Sequence, residues 1–256
     1  MKIRVLGSHN TESKKTRMPG LLIDGVIAFD GAALTSTLSL KAQLVLKAVF
    51  ISHRHYDHLR DIPALGMNLF LAGRSLSIYS HDDVFNSLKE HLLNGDLYPR
   101  YYEKPPQNPT FRFIPLNPFQ TYEIEGYSIL PVPVNHAVPA LGYQITSKDG
   151  GSLFYTGDTG INLAGVWEHV SPQLLVIELT ASDRYTESVG PAKHLTPHLL
   201  KQELIEFKKL KGYLPQVLTL HMNPMLESEI AAEITQVAQS LNASITLAKE
   251  GMKIEI

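Results

Sequence analysis

The sequence predicts an α/β fold of four layers: two mixed β-sheets face to face, with helices on the outer faces. Three observations predict it. Short apolar runs and helical-period segments follow the order β-rich, α, β-rich, α, as expected of two sheet-and-helix halves packed together. The length, 256 residues, is ordinary for four such layers. Isolated His, Asp and Glu residues stand at the C-terminal ends of predicted strands, where α/β layers place their chemistry.

Residues 2–6, 20–23 and 26–29 are short apolar runs punctuated by Gly and Asp, the pattern of strands. Residues 38–46 and 63–71 read as helices on either side of an apolar strand at 48–51. Residues 76–79 form another strand. The helix at 82–93 carries Val84, Phe85, Leu88 and Leu92 at helical spacing, with Ser80 or His81 near its cap. Residues 94–118 contain six prolines and are expected to be irregular. Strands then dominate to Tyr155, among them 129–134 and 152–155. The last hundred residues alternate between strands at 174–177, 216–220, 244–248 and 252–256 and helices at 196–210 and 227–241. No linker or repeat divides the chain, so residues 1–256 are expected to form one domain.

Composition narrows the setting. An apolar content of 44% and a charged content of 19% belong to a soluble globular protein. A net charge of −2 offers no broad cationic surface for a long polyanion. There is no Cys, so disulfides are impossible and secretion gains no support. The N-terminus is too short and polar for a signal peptide, and no apolar run is long enough for a bilayer. A cytoplasmic protein without a membrane partner is expected.

The most informative segment is His53-Arg54-His55-Tyr56-Asp57-His58, directly after the strand at 48–51. Residues two apart on an extended backbone point the same way, so His53 and His55 can share one ion. Asp57 and His58 follow the turn and can reach a second. Imidazole and carboxylate ligands suit zinc, iron or manganese. Further along, His136, Asp158 and His221 each end a predicted strand.

With these motifs the chain resembles the metallo-β-lactamase superfamily of hydrolases along its whole length. The resemblance implies the αβ/βα sandwich of that family and two divalent metal ions, with zinc expected ahead of manganese or iron. It implies one ion held by His53, His55 and His136, a second by Asp57, His58 and His221, and Asp158 bridging both. Two such ions hold a bridging water and lower its pKa toward neutral. Asp57 is also a candidate to orient that nucleophile or take its proton.

His194 lies in Lys193-His194-Leu195-Thr196-Pro197, beside a helix start with Thr196 as N-cap and Pro197 as first helical residue. The helix dipole there disfavours a charged imidazole. In the phosphodiesterase branches of the family, a His at this place stabilises the phosphate or assists the leaving group. Glu178 ends the strand at 174–177, and in ribonuclease Z a Glu here supports that His. Catalytic roles are therefore expected for Asp57, His194 and Glu178.

The segment from Val134 to Tyr143 resembles ribonuclease Z, and that from His194 to Leu204 resembles the class II cyclic-nucleotide phosphodiesterases. Both cleave phosphodiesters. The expected function is hydrolysis of a small phosphodiester such as a 3′,5′-cyclic nucleotide. The alternatives are a ribonuclease Z-type RNA-processing enzyme and, third, thioester or lactone hydrolysis. A non-catalytic metal-binding sensor is a further alternative, disfavoured by the complete ligand set. Bacterial-type ribonuclease Z holds tRNA with a basic arm between the positions of His136 and Asp158. Only two strands and a turn fit there in this chain, so a nucleic-acid substrate is not expected. The resemblance also allows a homodimer.

This chain departs from both branches after His58, where they carry a Gly-Gly or Gly-Leu turn. Here Arg60 can meet a phosphate or be a surface Arg paired with an Asp, and pairing is the stronger expectation. The proline-rich stretch holds Tyr98, Arg100, Tyr101, Tyr102 and Lys104, which suit either a binding loop or packing against the core.

Overall fold

The computed structural model describes residues 1–256. The first half contains strands β1 (Lys2–Gly7), β2 (Gly20–Ile23) and β3 (Ile27–Phe29), short helices α1 (Leu34–Thr37) and α2 (Leu40–Gln43), then β4 (Ala48–Phe50). Helices α3 (Tyr56–Leu59) and α4 (Ile62–Leu71), strand β5 (Leu76–Ser80), helix α5 (Asp82–Ser87) and strand β6 (Phe111–Pro115) complete it. The second half begins with β7 (Tyr122–Ile124), β8 (Tyr127–Pro133), β9 (Leu141–Ser147) and β10 (Ser152–Tyr155). It continues through α6 (Ala164–His169), β11 (Leu174–Glu178), α7 (Thr186–Val189), α8 (Pro197–Lys211), β12 (Gln216–Leu220), α9 (Glu227–Leu241), β13 (Ile245–Leu247) and β14 (Lys253–Glu255).

Two seven-stranded sheets result, ordered β14-β1-β2-β3-β4-β5-β6 and β13-β12-β11-β10-β9-β8-β7. Alternation along each strand sorts the side chains. In the first sheet Leu21, Ile23, Ile27, Phe29 and Phe50 face the second sheet and meet Tyr143, Ile145, Tyr155 and Val176 in a shared core. The intervening Leu22, Ala28 and Val49 face outward under Leu34, Leu65, Leu69 and Phe85. On the opposite outer face, Leu175, Ile177 and Val217 pack beneath Trp167, Leu204, Phe207, Ile230 and Ile234. Three apolar seams between four layers are the expected αβ/βα sandwich. Strands buried on both faces read as continuous apolar runs.

Four readings of the sequence need correction. The helix expected at 38–46 is broken: Leu38 is extended, and the Ser39 hydroxyl accepts from the Ala42 amide to start α2 afresh. Residues 94–118 are not wholly irregular, because 111–115 form β6 parallel to β5. Pro115 is tolerated there because β6 is an edge strand. Helix α6, six residues long, was hidden by its length. The helix expected at 82–93 leaves α geometry after Ser87 and closes with a π-helical turn over Leu88–Leu92.

The proline-rich stretch is built into the core. Tyr101 is fully buried, stacked edge-on to Phe111, and Tyr98 and Tyr102 pack on the same cluster. Gly66 of α4 admits the Tyr101 ring, since a Cβ there would sit 2.4 Å from it. The geometry favours the packing role over the binding loop.

Strands β3 and β4 run parallel, as do β10, β11 and β12, and β8 runs antiparallel to β9, which is itself antiparallel to β10. The C-terminal ends of β8, β10, β11 and β12 therefore open at one rim of the second sheet. The loop after β4 meets them from the first.

Candidate metal centre

Two groups of donors converge at that rim. His53, His55, His136 and Asp158 form one, and Asp57, His58, Asp158 and His221 the other; within each, the ligand atoms lie within 4.8 Å of one another. Asp158 belongs to both. Its Oδ1 stands 3.2 Å from His58 Nε2, and its Oδ2 stands 3.3 Å from His221 Nε2 and 3.7 Å from His53 Nε2. His221 Nε2 also lies 3.1 Å from Asp57 Oδ2. The structure thus brings together all seven residues that the sequence singled out as ligands.

The local chain explains each placement. His53 and His55 sit on the extended segment after β4, and α3 begins at Tyr56, turning Asp57 and His58 toward the second group. Gly157 at φ 60° lets the loop before Asp158 press on Ser52, where a Cβ would come within 2.6 Å of the serine Cβ. His221 takes a left-handed φ of 70°, a strained setting for a Cβ-bearing residue.

The nitrogens facing away from the centre are held. Asp30 Oδ2 binds His58 Nδ1 at 2.7 Å and also accepts from the Ser52 and Tyr155 hydroxyls. Ser52 Oγ meets His53 Nδ1 at 3.0 Å, and Thr180 Oγ1 meets His221 Nδ1 at 2.8 Å. The Lys193 carbonyl lies 3.3 Å from His136 Nδ1. These contacts aim the Nε2 atoms of His53, His58, His136 and His221 inward, as orienting partners do in metal sites. Sequence reading missed Asp30, Ser52, Thr180 and Lys193. Asp30 did leave a signal: it is a carboxylate directly after a strand, as Asp158 is.

The residues fit divalent cations on three grounds. His53 Nε2 is 2.9 Å and His136 Nε2 3.2 Å from His55 Nδ1, close to the roughly 3.3 Å between nitrogens sharing one tetrahedral zinc. His58 Nε2 and Asp158 Oδ1 are buried with no hydrogen-bond partner, which is costly unless something else satisfies them. The protonation states also suit ligation. Burial, reinforced by neighbouring histidines, pushes His53 down, and burial pushes His136 down to about 4, so both imidazoles are neutral. Burial opposes ionisation of Asp57, but His58 and His221 outweigh it and hold the carboxyl at about 2. Asp158 is likewise held low by His221 and His58 against its burial. Among the ligand histidines, His58 is raised despite burial, because Asp158, Asp30 and Asp57 surround it with negative charge that cations would neutralise.

Beside the centre, His194 Nδ1 lies 2.8 Å from Glu178 Oε1. Burial disfavours the charged imidazole, but the Glu178 carboxylate prevails and the pKa is pushed up to about 9. The expectation from the helix dipole is therefore reversed by one buried carboxylate. Thr180 Oγ1 donates to Glu178 Oε2 at 2.8 Å and connects this pair to His221. Thr196 is the N-cap of α8 but makes no capping bond; the Asp183 carboxylate instead accepts from the His198 amide. Arg60 pairs with Asp61 and Glu12, at 2.9 and 2.7 Å, and is not available to a substrate phosphate.

The fold and donor cluster define the class of metal-dependent hydrolases. A family model described as a beta-lactamase superfamily domain matches residues 21–245, and the chain belongs to the metallo-β-lactamase superfamily. Among curated proteins it is similar to ribonuclease Z of Pyrococcus abyssi, 30% identical over 153 residues, covering 58% of this chain and 47% of that protein. The chain thus matches about half the length of the curated relatives. Among solved structures, unliganded yeast PDE1 shares the fold with a TM-score of 0.85 at 15% identity, over 100% of this chain and 99% of that one. The short form of human tRNase Z aligns over 100% and 99% with a TM-score of 0.69 at 21% identity. No helix is long and apolar enough to cross a membrane.

Proposed function

We propose that this chain is a dinuclear metal-dependent phosphodiesterase acting on a small phosphodiester such as a 3′,5′-cyclic nucleotide. The observation that carries the reading is the convergence of two donor groups on Asp158 with the Glu178–His194 pair alongside. When bound, two divalent cations supply Lewis acidity toward phosphoryl oxygens and lower the pKa of water. His53, His55 and His136 would hold one, Asp57, His58 and His221 the other, with Asp158 shared; zinc, manganese and iron all suit these ligands.

The remaining chemistry belongs to the chain. Glu178 keeps His194 protonated, so the imidazolium can neutralise phosphate charge or give a proton to the departing oxygen. Asp57 Oδ2, 3.1 Å from His221 Nε2, is placed to orient a nucleophilic water or accept its proton. His194 borders a cavity of 410 Å³ with Asn135, Asn162, Thr186 and Leu199, in the size range of small-molecule sites.

A second reading, RNA processing of the ribonuclease Z type, is favoured by the identity to those relatives. Against it, His136 and Asp158 are joined by the β9–β10 hairpin, whose short turn leaves no arm. Arg100 and Arg112 in the proline-rich stretch bind Asn94 and Asn108 of the same stretch rather than forming a free basic arm. The test is side-by-side kinetics of the metal-loaded protein on cyclic nucleotides and precursor tRNA. Turnover of the small diester, lowered about 10²-fold or more in His194→Ala with both ions retained, is expected. Efficient, site-specific 3′ processing of precursor tRNA would establish the second reading instead.

A further inference from the structure

Lys193 occupies the left-handed region at φ 57°, where a residue with a Cβ is disfavoured. Its backbone is also crowded: a Cβ on Gly160 would stand only 3.1 Å from the Lys193 Cβ. Such strain persists where surrounding contacts enforce it, and those contacts converge on one residue. The Lys193 ammonium donates to the His136 carbonyl at 3.0 Å, and the Lys193 carbonyl faces His136 Nδ1 at 3.3 Å. No other donor reaches the His136 carbonyl. His136 is 6% exposed, and Lys193 has no carboxylate partner that would compete for its ammonium. The inward nitrogen of the ring so held is the one 3.2 Å from His55 Nδ1.

We propose that Lys193 is a positioning residue whose side chain and carbonyl clasp both ends of His136 and fix its imidazole for the first cation. The carbonyl selects the tautomer with a proton on Nδ1, leaving Nε2 its lone pair. The ammonium satisfies a buried carbonyl in a loop without regular structure, so the backbone behind the ring cannot drift. Lys193 directly precedes His194, and the His136 and His194 rings are 5.2 Å apart. The same clasp therefore sets the spacing between the first donor group and the imidazolium.

The proposal rests on reading His53, His55 and His136 as ligands of one ion, and its test is independent of the substrate. Lys193→Gly relieves the left-handed strain, keeps the carbonyl and loses the ammonium. Lys193→Met keeps the strain and an aliphatic stem and loses the ammonium with its hydrogen bond to the His136 carbonyl. Zinc affinity is measured by chelator competition, thermal melting on the metal-free proteins, and the His136 tautomer by nitrogen NMR. Both variants are expected to bind the first zinc about 10-fold or more weakly, the range for lost orienting contacts. Metal-free Lys193→Gly is expected to melt at or above the parent. Weaker binding accompanied by a lower melting temperature in Lys193→Gly would mark a general structural role and overturn the proposal. Parental zinc affinity in both variants, or a parent tautomer with no proton on His136 Nδ1, would also overturn it. A parent protein that binds no divalent cation would instead sink the metal-centre reading on which it rests.

Discussion

Glu178→Gln removes one charge from the site and nearly preserves the side chain's shape. In the parent, His194 is held at about 9 against an ordinary 6.5, net of burial. At about 1.4 kcal/mol per pKa unit, the net shift favours the imidazolium by roughly 3 kcal/mol, with Glu178 the leading favourable contribution and Asp158 and Asp57 adding to it. Without the Glu178 carboxylate, burial governs and the ring should titrate at or below its ordinary value. At pH 8 a ring of pKa 9 is about 90% charged and one of pKa 6.5 about 3%, a ratio of about 30. At pH 6 the two differ by less than about twofold. The expected result is a turnover defect of about 30-fold or more at pH 8 that largely disappears at pH 6. Bound cations lower both pKa values together, so the difference between variant and parent is the quantity to read. Proton NMR of the imidazole in metal-free protein gives it directly, and pH–rate profiles give its consequence. The pair's contribution to stability has the same sign: complete below about pH 6.5, and lost as pH rises through about 9. A His194 pKa unchanged in the variant, or a rate loss of equal size at both pH values, would refute the reasoning.

Other perturbations separate the remaining roles. His221→Ala should lose chiefly the second ion and most activity, read by elemental analysis; full metal content with parental turnover would remove His221 from the ligand set. Asp30→Asn leaves every inward ligand in place but weakens the hold on His58 Nδ1, so affinity at the second site should fall about 10- to 100-fold by chelator competition. Tyr101→Ala should cost about 3–5 kcal/mol in denaturant unfolding, as for other buried aromatics, with kcat/KM unchanged. A drop in kcat/KM at parental stability would restore the stretch around Tyr101 as a binding loop.

Much of this site was legible because its chemistry is local in the chain. His53 to His58 announce themselves within six residues, and His136, Asp158 and His221 each follow a strand whose apolar run is visible. The orienting contacts were harder to read than the ligands, since Asp30 reaches His58 across 28 positions and Tyr155 reaches Asp30 across 125. The charge on His194 depends likewise on Glu178, 16 residues away and on another element. In the fold, the strands buried on both faces were plain, whereas β6 was masked by Pro115 and the prolines around it. The break between α1 and α2 turns on one serine hydroxyl, which no periodicity reveals.

Each donor group draws on both halves of the molecule. His53, His55, Asp57 and His58 follow a strand of the first sheet, while His136, Asp158 and His221 follow strands of the second. A bound cation is thus a reversible rivet across the seam between the sheets, and its binding energy is also docking energy. At a thousandfold excess over its dissociation constant, each ion would add about 4 kcal/mol to the assembled state. Chelation should therefore loosen the seam before it melts either sheet, and a chain still being synthesised can complete the first donor group only after β10 has arrived and the second only after β12.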